Sequence, residues 1–270
     1  MKRKFDLIIV TILITVTALA FTGCSVDKLK SAMKDGVDIL ESAYFYDEDT
    51  GVYKVVCIIE NNTMSTLDNG ILESRALDKD GNRINTVVTD GSDGGLCIGY
   101  NWLGTGEKTA GMLTNEGWED VEGDILAHYK EAPDSLEWVE AAGMSSKAPN
   151  LKPHGLSVKA CEYDAAKDGW YGDDSVYNVT LHNDSETDYV FNNGEFCYET
   201  DSIKFSFKIV AVYRNADGEI KDAALIEYTG NNTPSVIPAG EDVVMEGNSS
   251  YRCEDDSLTP EYYIYIDNMY

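Results

Sequence analysis

Lys204-Phe205-Ser206-Phe207-Lys208-Ile209-Val210-Ala211-Val212-Tyr213 decides the fold class. Phe205, Phe207, Ile209, Ala211 and Tyr213 recur at every second position, with Lys204, Ser206 and Lys208 between them. Side chains of an extended chain alternate between faces, so this spacing predicts a strand with one apolar face. Asn215-Ala216-Asp217-Gly218 follows, and Asp-Gly supplies the positive-φ positions of a tight hairpin. Ile220, Ala224 and Ile226 continue on the returning strand.

Outward from this hairpin the chain is rich in β-branched and aromatic residues, punctuated by Asp-Gly and Asn-Gly, and long helical periodicity is absent. The order of landmarks is written twice. Glu60-Asn61-Asn62-Thr63 matches His182-Asn183-Asp184-Ser185, and Asp80-Gly81 matches Asp217-Gly218. Gly104-Thr105-Gly106-Glu107-Lys108 matches Pro238-Ala239-Gly240-Glu241-Asp242. Pro133 before Leu136, Trp138 and Val139 matches Pro260 before Tyr262, Ile264 and Ile266. Such an internal repeat governs the fold assignment. The second copy carries 15 more residues between its first two landmarks, around Val190 to Ile203, and an insertion of this kind is expected to be a functional loop. Residues 143–154, with small residues, Pro149 and Pro153, read as a linker.

The expectation is all-β: two tandem immunoglobulin-like antiparallel β-sandwiches, at 37–142 and 155–270. The sequence of strand, Asn-Asn or Asn-Asp turn, strand, Asp-Gly turn, strand and Gly-Glu resembles the small FxLYD-type β-sandwich modules of Gram-positive surface lipoproteins. That resemblance implies an extracytoplasmic sandwich and brings no catalytic residues with it.

The N-terminus points the same way. Lys2, Arg3 and Lys4 precede an apolar run from Leu7 to Phe21, which ends in Phe21-Thr22-Gly23-Cys24. Fifteen residues fall short of the roughly 20 that span a bilayer, so residues 1–23 read as a signal peptide. The ending resembles a bacterial lipoprotein signal, with Phe21 where Leu is usual. The resemblance implies cleavage before Cys24 and lipidation of its sulfur, leaving 24–36 as lipidated cysteine and tether. The expected location is the outer face of the bacterial cell membrane, with the membrane as a partner through the lipid on Cys24.

The chain carries 21 Lys plus Arg against 48 Asp plus Glu. Removal of the signal leaves 18 against 47, a net charge of −29. Such a surface repels phosphate backbones, which excludes nucleic acid as a partner. After Cys24, Cys57, Cys97, Cys161, Cys197 and Cys253 remain, an odd number with no Cys-x-x-Cys spacing and no pairing fixed. Cys57 shares an alternating face with Val55 and Ile59 and reads as a small buried hydrophobe.

No catalytic set emerges. His128, His154 and His182 lie far apart without metal-ligand spacing, and no Gly-x-Ser-x-Gly or phosphate loop occurs. Neither a cofactor nor a metal is expected. The acidic stretches Asp47-Glu48-Asp49, Asp90-Gly91-Ser92-Asp93, Asp173-Asp174 and Glu254-Asp255-Asp256 lack the spacing of an EF-hand and read as turns. Trp118, Val121, Ile125 and Tyr129 make one stripe of a short helical lid. Trp118 there, and Tyr263 and Tyr265 on the last strand, form the expected ligand surface for a protein or glycan. The reading is a surface lipoprotein with a non-catalytic binding or structural role. The alternatives are an envelope polysaccharide hydrolase using loop carboxylates and a calcium-stabilised adhesion module.

Overall fold

The computed structural model describes residues 37–46, 53–82, 86–87, 97–114, 128–129, 135–140, 151–167, 174–192, 194–198, 203–228 and 233–269. Cys24 and Trp118 lie outside them, as does the linker up to residue 150. The described chain is all-β, with one 3-10 turn at Ala165–Lys167. The first half contributes β1 (Asp38–Tyr46), β2 (Tyr53–Glu60), β3 (Gly70–Leu77), β4 (Thr86–Val87), β5 (Cys97–Tyr100), β6 (Lys108–Thr114), β7 (His128–Tyr129) and β8 (Ser135–Glu140). The second contributes β9 (Leu156–Tyr163), β10 (Ser175–Asn183), β11 (Tyr189–Asn192), β12 (Glu195–Tyr198), β13 (Ile203–Arg214), β14 (Ile220–Tyr228), β15 (Val236–Ile237), β16 (Asp242–Ser249) and β17 (Thr259–Met269). His128 and Tyr129 thus belong to a short strand paired with β4, where a helical lid was expected.

The repeat reappears as strand connectivity. Sheets β1-β2-β6 and β5-β3-β8 form in the first half, and β9-β10-β16 and β14-β13-β17 pair in the same order in the second. In the second half, contact between β14 and β16 joins the two sets into one nine-stranded sheet. The extra residues of the second copy form a hairpin of β11 and β12, which adds strands to that sheet; the expected functional loop is a structural insertion. Its Phe196 is fully buried and stacks on Phe207 at 5.5 Å between ring centroids. Aromatic burial explains why the insertion is ordered by the core and not left as an open loop.

The repeated turns are the same device twice. Asn61 Nδ2 donates to Ser65 O and Leu103 O at 2.9 and 2.7 Å. Asn183 Nδ2 donates to Thr187 O and Ile237 O at 2.9 and 3.1 Å. Each Asn Oδ1 accepts the N–H and hydroxyl of the residue two further on, Thr63 or Ser185. Gly106 and Gly240, at φ 77° and 73°, donate to the carbonyls of Asn61 and Asn183. A buried amide with all its hydrogen bonds made fixes such a turn, because leaving any unmade costs the full desolvation penalty.

Apolar side chains place the halves. Val55, Cys57 and Ile59 of β2 pack with Leu72, Ile98 and Trp138 in the first half's core. Phe205, Phe207, Ile209, Ala211 and Tyr213 of β13 enter the second half's core with Val179, Leu181, Ile226 and Ile264, as their alternation predicts. The opposite faces of the same strands are apolar too: Val56, Ile58, Val210, Val212, Ala223 and Tyr263 form a third cluster that joins the halves. The sheets therefore stack in the order β5-β3-β8, β1-β2-β6, β14-β13-β17, β9-β10-β16, and the two inner layers are covered on both faces.

Candidate functional site

Among the described residues, the seam between the halves gathers a buried ion pair, a buried histidine and a tryptophan that crosses between cores. At one margin Lys54, almost completely buried, places Nζ 3.2 Å from Asp222 Oδ1 and 2.8 Å from the centroid of the Tyr251 ring. Asp222 also accepts the Ala223 N–H at 2.8 Å and the Tyr251 hydroxyl. Burying an ion pair between strands of different halves is costly, and the additional bonds to Asp222 and the Tyr251 ring beneath Lys54 offset that cost. Arg214 forms a fork on Glu41 at 2.7 and 3.0 Å and reaches Glu261 at 2.9 Å, which holds its guanidinium more firmly charged.

The free edge of β17 is capped by side chains from the first half. Thr109 Oγ1 donates to Ile264 O at 2.7 Å, and Asn101 Nδ2 to Asp267 O at 2.9 Å. Unpaired backbone acceptors on an edge strand are thereby occupied.

At the other end of the seam, Trp102 belongs by sequence to the first half and by packing to the core of the second. It adopts φ 42°, is fully buried, and meets Phe205 edge-on at 5.1 Å and Tyr189 at 6.1 Å. Its indole Nε1 donates to Lys152 O at 2.6 Å. The strap from Leu151 to Gly155 is clamped from both sides. Thr66 Oγ1 donates to Leu151 O at 2.6 Å, and Gly155 N to Glu107 Oε1 at 3.2 Å. Tyr189 donates its hydroxyl to His154 O, and Asp184 N donates to Gly155 O at 2.8 Å. His154 is buried, accepts the Leu156 N–H on Nδ1 at 3.0 Å, and faces Glu107 Oε2 with Nε2 at 3.7 Å. Burial lowers its pKa, against the pull of Glu107.

Where the seam opens to solvent between β6, β14 and β16 lies a crevice of about 340 Å³. Leu113 and Leu225 give it an apolar wall, and Asp174, Glu227 and Asn248 give it polar groups. Asn248 Nδ2 donates to Asp174 Oδ2 at 2.5 Å, and Glu227 pairs with Lys208 at 2.8 Å. Junctions of this kind are where ligand sites form most readily. This crevice suits a small ligand that donates hydrogen bonds, such as a hydroxylated or amine-bearing one.

The expected ligand surface is placed differently. Tyr263 is buried in the seam and Tyr265 is half-buried beside it, so the tyrosine face is covered by the first half and not exposed. The reason is that β17 lies in an inner layer. Of the acidic stretches, Asp47 to Asp49 and Asp90 to Asp93 lie outside the described residues, while Asp174 accepts a hydrogen bond from Asn248 and the Asp255 carboxylate accepts the N–H and hydroxyl of Ser257. Among the described residues no group of three or more His, Cys, Asp or Glu side chains is placed to hold a metal ion.

Cys57, Cys161 and Cys253 are free thiols. Burial pushes the Cys57 and Cys161 thiols up to about 12, which leaves them unreactive at neutral pH.

Sequence reasoning missed Lys54, Trp102, Glu107, His154 and Asp222. A signal was present: Val55-Val56-Cys57-Ile58-Ile59 and Ile209-Val210-Ala211-Val212 are apolar at consecutive positions, the pattern of strands buried on both faces. In comparison with known proteins, the chain matches no family model and no curated protein.

Proposed function

We propose that this chain is an exported bacterial lipoprotein, anchored through Cys24, whose two halves are tandem immunoglobulin-like sandwiches acting together as one rigid binding or structural element of the envelope. The observation that carries the reading is Trp102: a side chain of one half completes the core of the other, so the halves present a fixed surface. Among the described residues, the crevice beside Leu225 and Glu227 is a place on that surface able to take a small ligand or a partner's side chain. The lipoprotein-like Phe21-Thr22-Gly23-Cys24 supports the anchor.

Chemical crosslinking on intact cells, followed by recovery through the lipid-bearing fragment, tests this reading. It expects label on Cys24, loss of membrane association in Cys24→Ser, and a reproducible protein or wall-glycan partner. Glycan turnover by the purified chain that disappears in Glu227→Gln would replace it with a hydrolase.

A further inference from the structure

Seven side chains among those described accept the backbone N–H two residues ahead through a carboxylate, amide or imidazole. Asn61, Asp78, Asp164, Asn183, Asn215 and Asp255 do so with an oxygen. His154 does so with a ring nitrogen, toward Leu156. The motif is the same local turn, but the acceptors differ in one property. A carboxylate or amide oxygen still has a lone pair when the solution is acidified, whereas imidazole Nδ1 loses its only lone pair on gaining a proton.

In the neutral ring Nδ1 accepts from Leu156, so the proton resides on Nε2, toward Glu107. The imidazolium would carry a second N–H, on Nδ1, directed at the Leu156 N–H. Two donors then face each other in a buried site, and the turn bond is lost. The groups around the ring are few. Glu107 approaches from the turn before β6, Trp102 stands edge-on at 6.2 Å, and Tyr189 from the second half binds the His154 carbonyl. The Lys152–Glu186 pair is exposed on the solvent side, and the Asp184 carboxylate is directed to His182. Glu107 favours the proton; burial and the Leu156 donor oppose it.

We infer that His154 makes the strap Leu151–Gly155 an acid-sensitive latch across the seam: neutral, it holds the strap against Trp102 and Glu107; protonated, it releases the strap locally while the apolar seam stays closed. The Trp102–Lys152 bond is the contact freed with it.

The sign follows from linkage. The unlatched His154 returns to its ordinary value of 6.5, above that of the latched state. Latching is complete above that value and weakens as pH falls through it, by at most about tenfold per pH unit for one coupled proton.

The test is hydrogen exchange of the Leu156 amide and the Trp102 indole N–H, read by NMR on the full chain in detergent micelles, between about pH 7.5 and about pH 5. After correction for intrinsic exchange, both should speed up by up to about tenfold per unit below the histidine's ordinary range. In His154→Asn, which keeps an acceptor for Leu156 and cannot titrate, they should stay flat. Glu107→Gln should leave the onset of the rise at the histidine's ordinary range and carry its levelling-off to lower pH, a result that stands even if the asparagine variant misfolds. Flat rates in the unmodified chain, an equal rise in His154→Asn, or a levelling-off in Glu107→Gln at the same or higher pH than in the unmodified chain would overturn the latch.

Discussion

The turns built on Asn61 and Asn183 share their hydrogen bonds almost atom for atom, yet they have different neighbours. Glu107, in the first, reaches across to Gly155 and faces His154; Glu241, at the matching place in the second, is exposed. Trp102 and Val236 hold equivalent places before Leu103 and Ile237, and only the tryptophan is fully buried. The two turns share the hydrogen bonds that make them and differ in the side chains that look outward from them. The lesson is that turn identity and turn employment are encoded at different positions.

The largest test of this contrast is truncation at the paired positions. Trp102→Ala should cost about 3–5 kcal/mol by denaturant midpoint, and Val236→Ala, at a half-buried site, about 1 kcal/mol. Equal costs would mean that the seam gives Trp102 no special weight. Next come the shared asparagines. Asn61→Ala and Asn183→Ala should each cost about 2 kcal/mol through buried groups left unpaired; a difference larger than about 1 kcal/mol would show that the seam supports one turn. Smaller still, Glu107→Gln should lower stability by about 1 kcal/mol, with Glu241→Gln unchanged in the same thermal melt.

The last comparison sets His182 against His154. His182 is half-buried, bridging Asp242 at 2.6 Å and Asp184 at 2.9 Å, whose carboxylates are exposed, and these carboxylates raise its pKa. Its contribution is fully present below 6.5, its ordinary value, and fades as pH rises through the folded value. His154 has the opposite sign. Tm measured against pH for His182→Asn should therefore approach that of the unmodified chain on the alkaline side, by a small margin because the pair is solvated. Convergence on the acidic side would contradict it.

The all-β class, the strand over Phe205 to Tyr213 and the duplicated turns were legible because each is written in local chemistry: alternation, Asp-Gly, and an asparagine after a strand. The seam was less legible because it depends on which faces meet. Lys204, Ser206 and Lys208 suggest a solvent face for β13, while Val210 and Val212 on that face lie beneath the first half. Tyr263 misled for the same reason, since its alternation with Ile264 is equally compatible with water or a second sheet on the other side. Trp102 and His154 carry no local pattern at all; their roles arise from residues far away in sequence.

β17 has one more consequence. It follows in chain order every strand it touches, yet it lies in an inner layer, paired with β13 and capped by Thr109 and Asn101. The first half can therefore close its own core while the remainder is still unfolded, but the stack as a whole waits for the arrival of residues 259–269. Until the halves meet, Val56 and Ile58 of the first half and Val210 and Val212 of β13 are bare hydrophobic surfaces, so closing of the seam competes with self-association during folding.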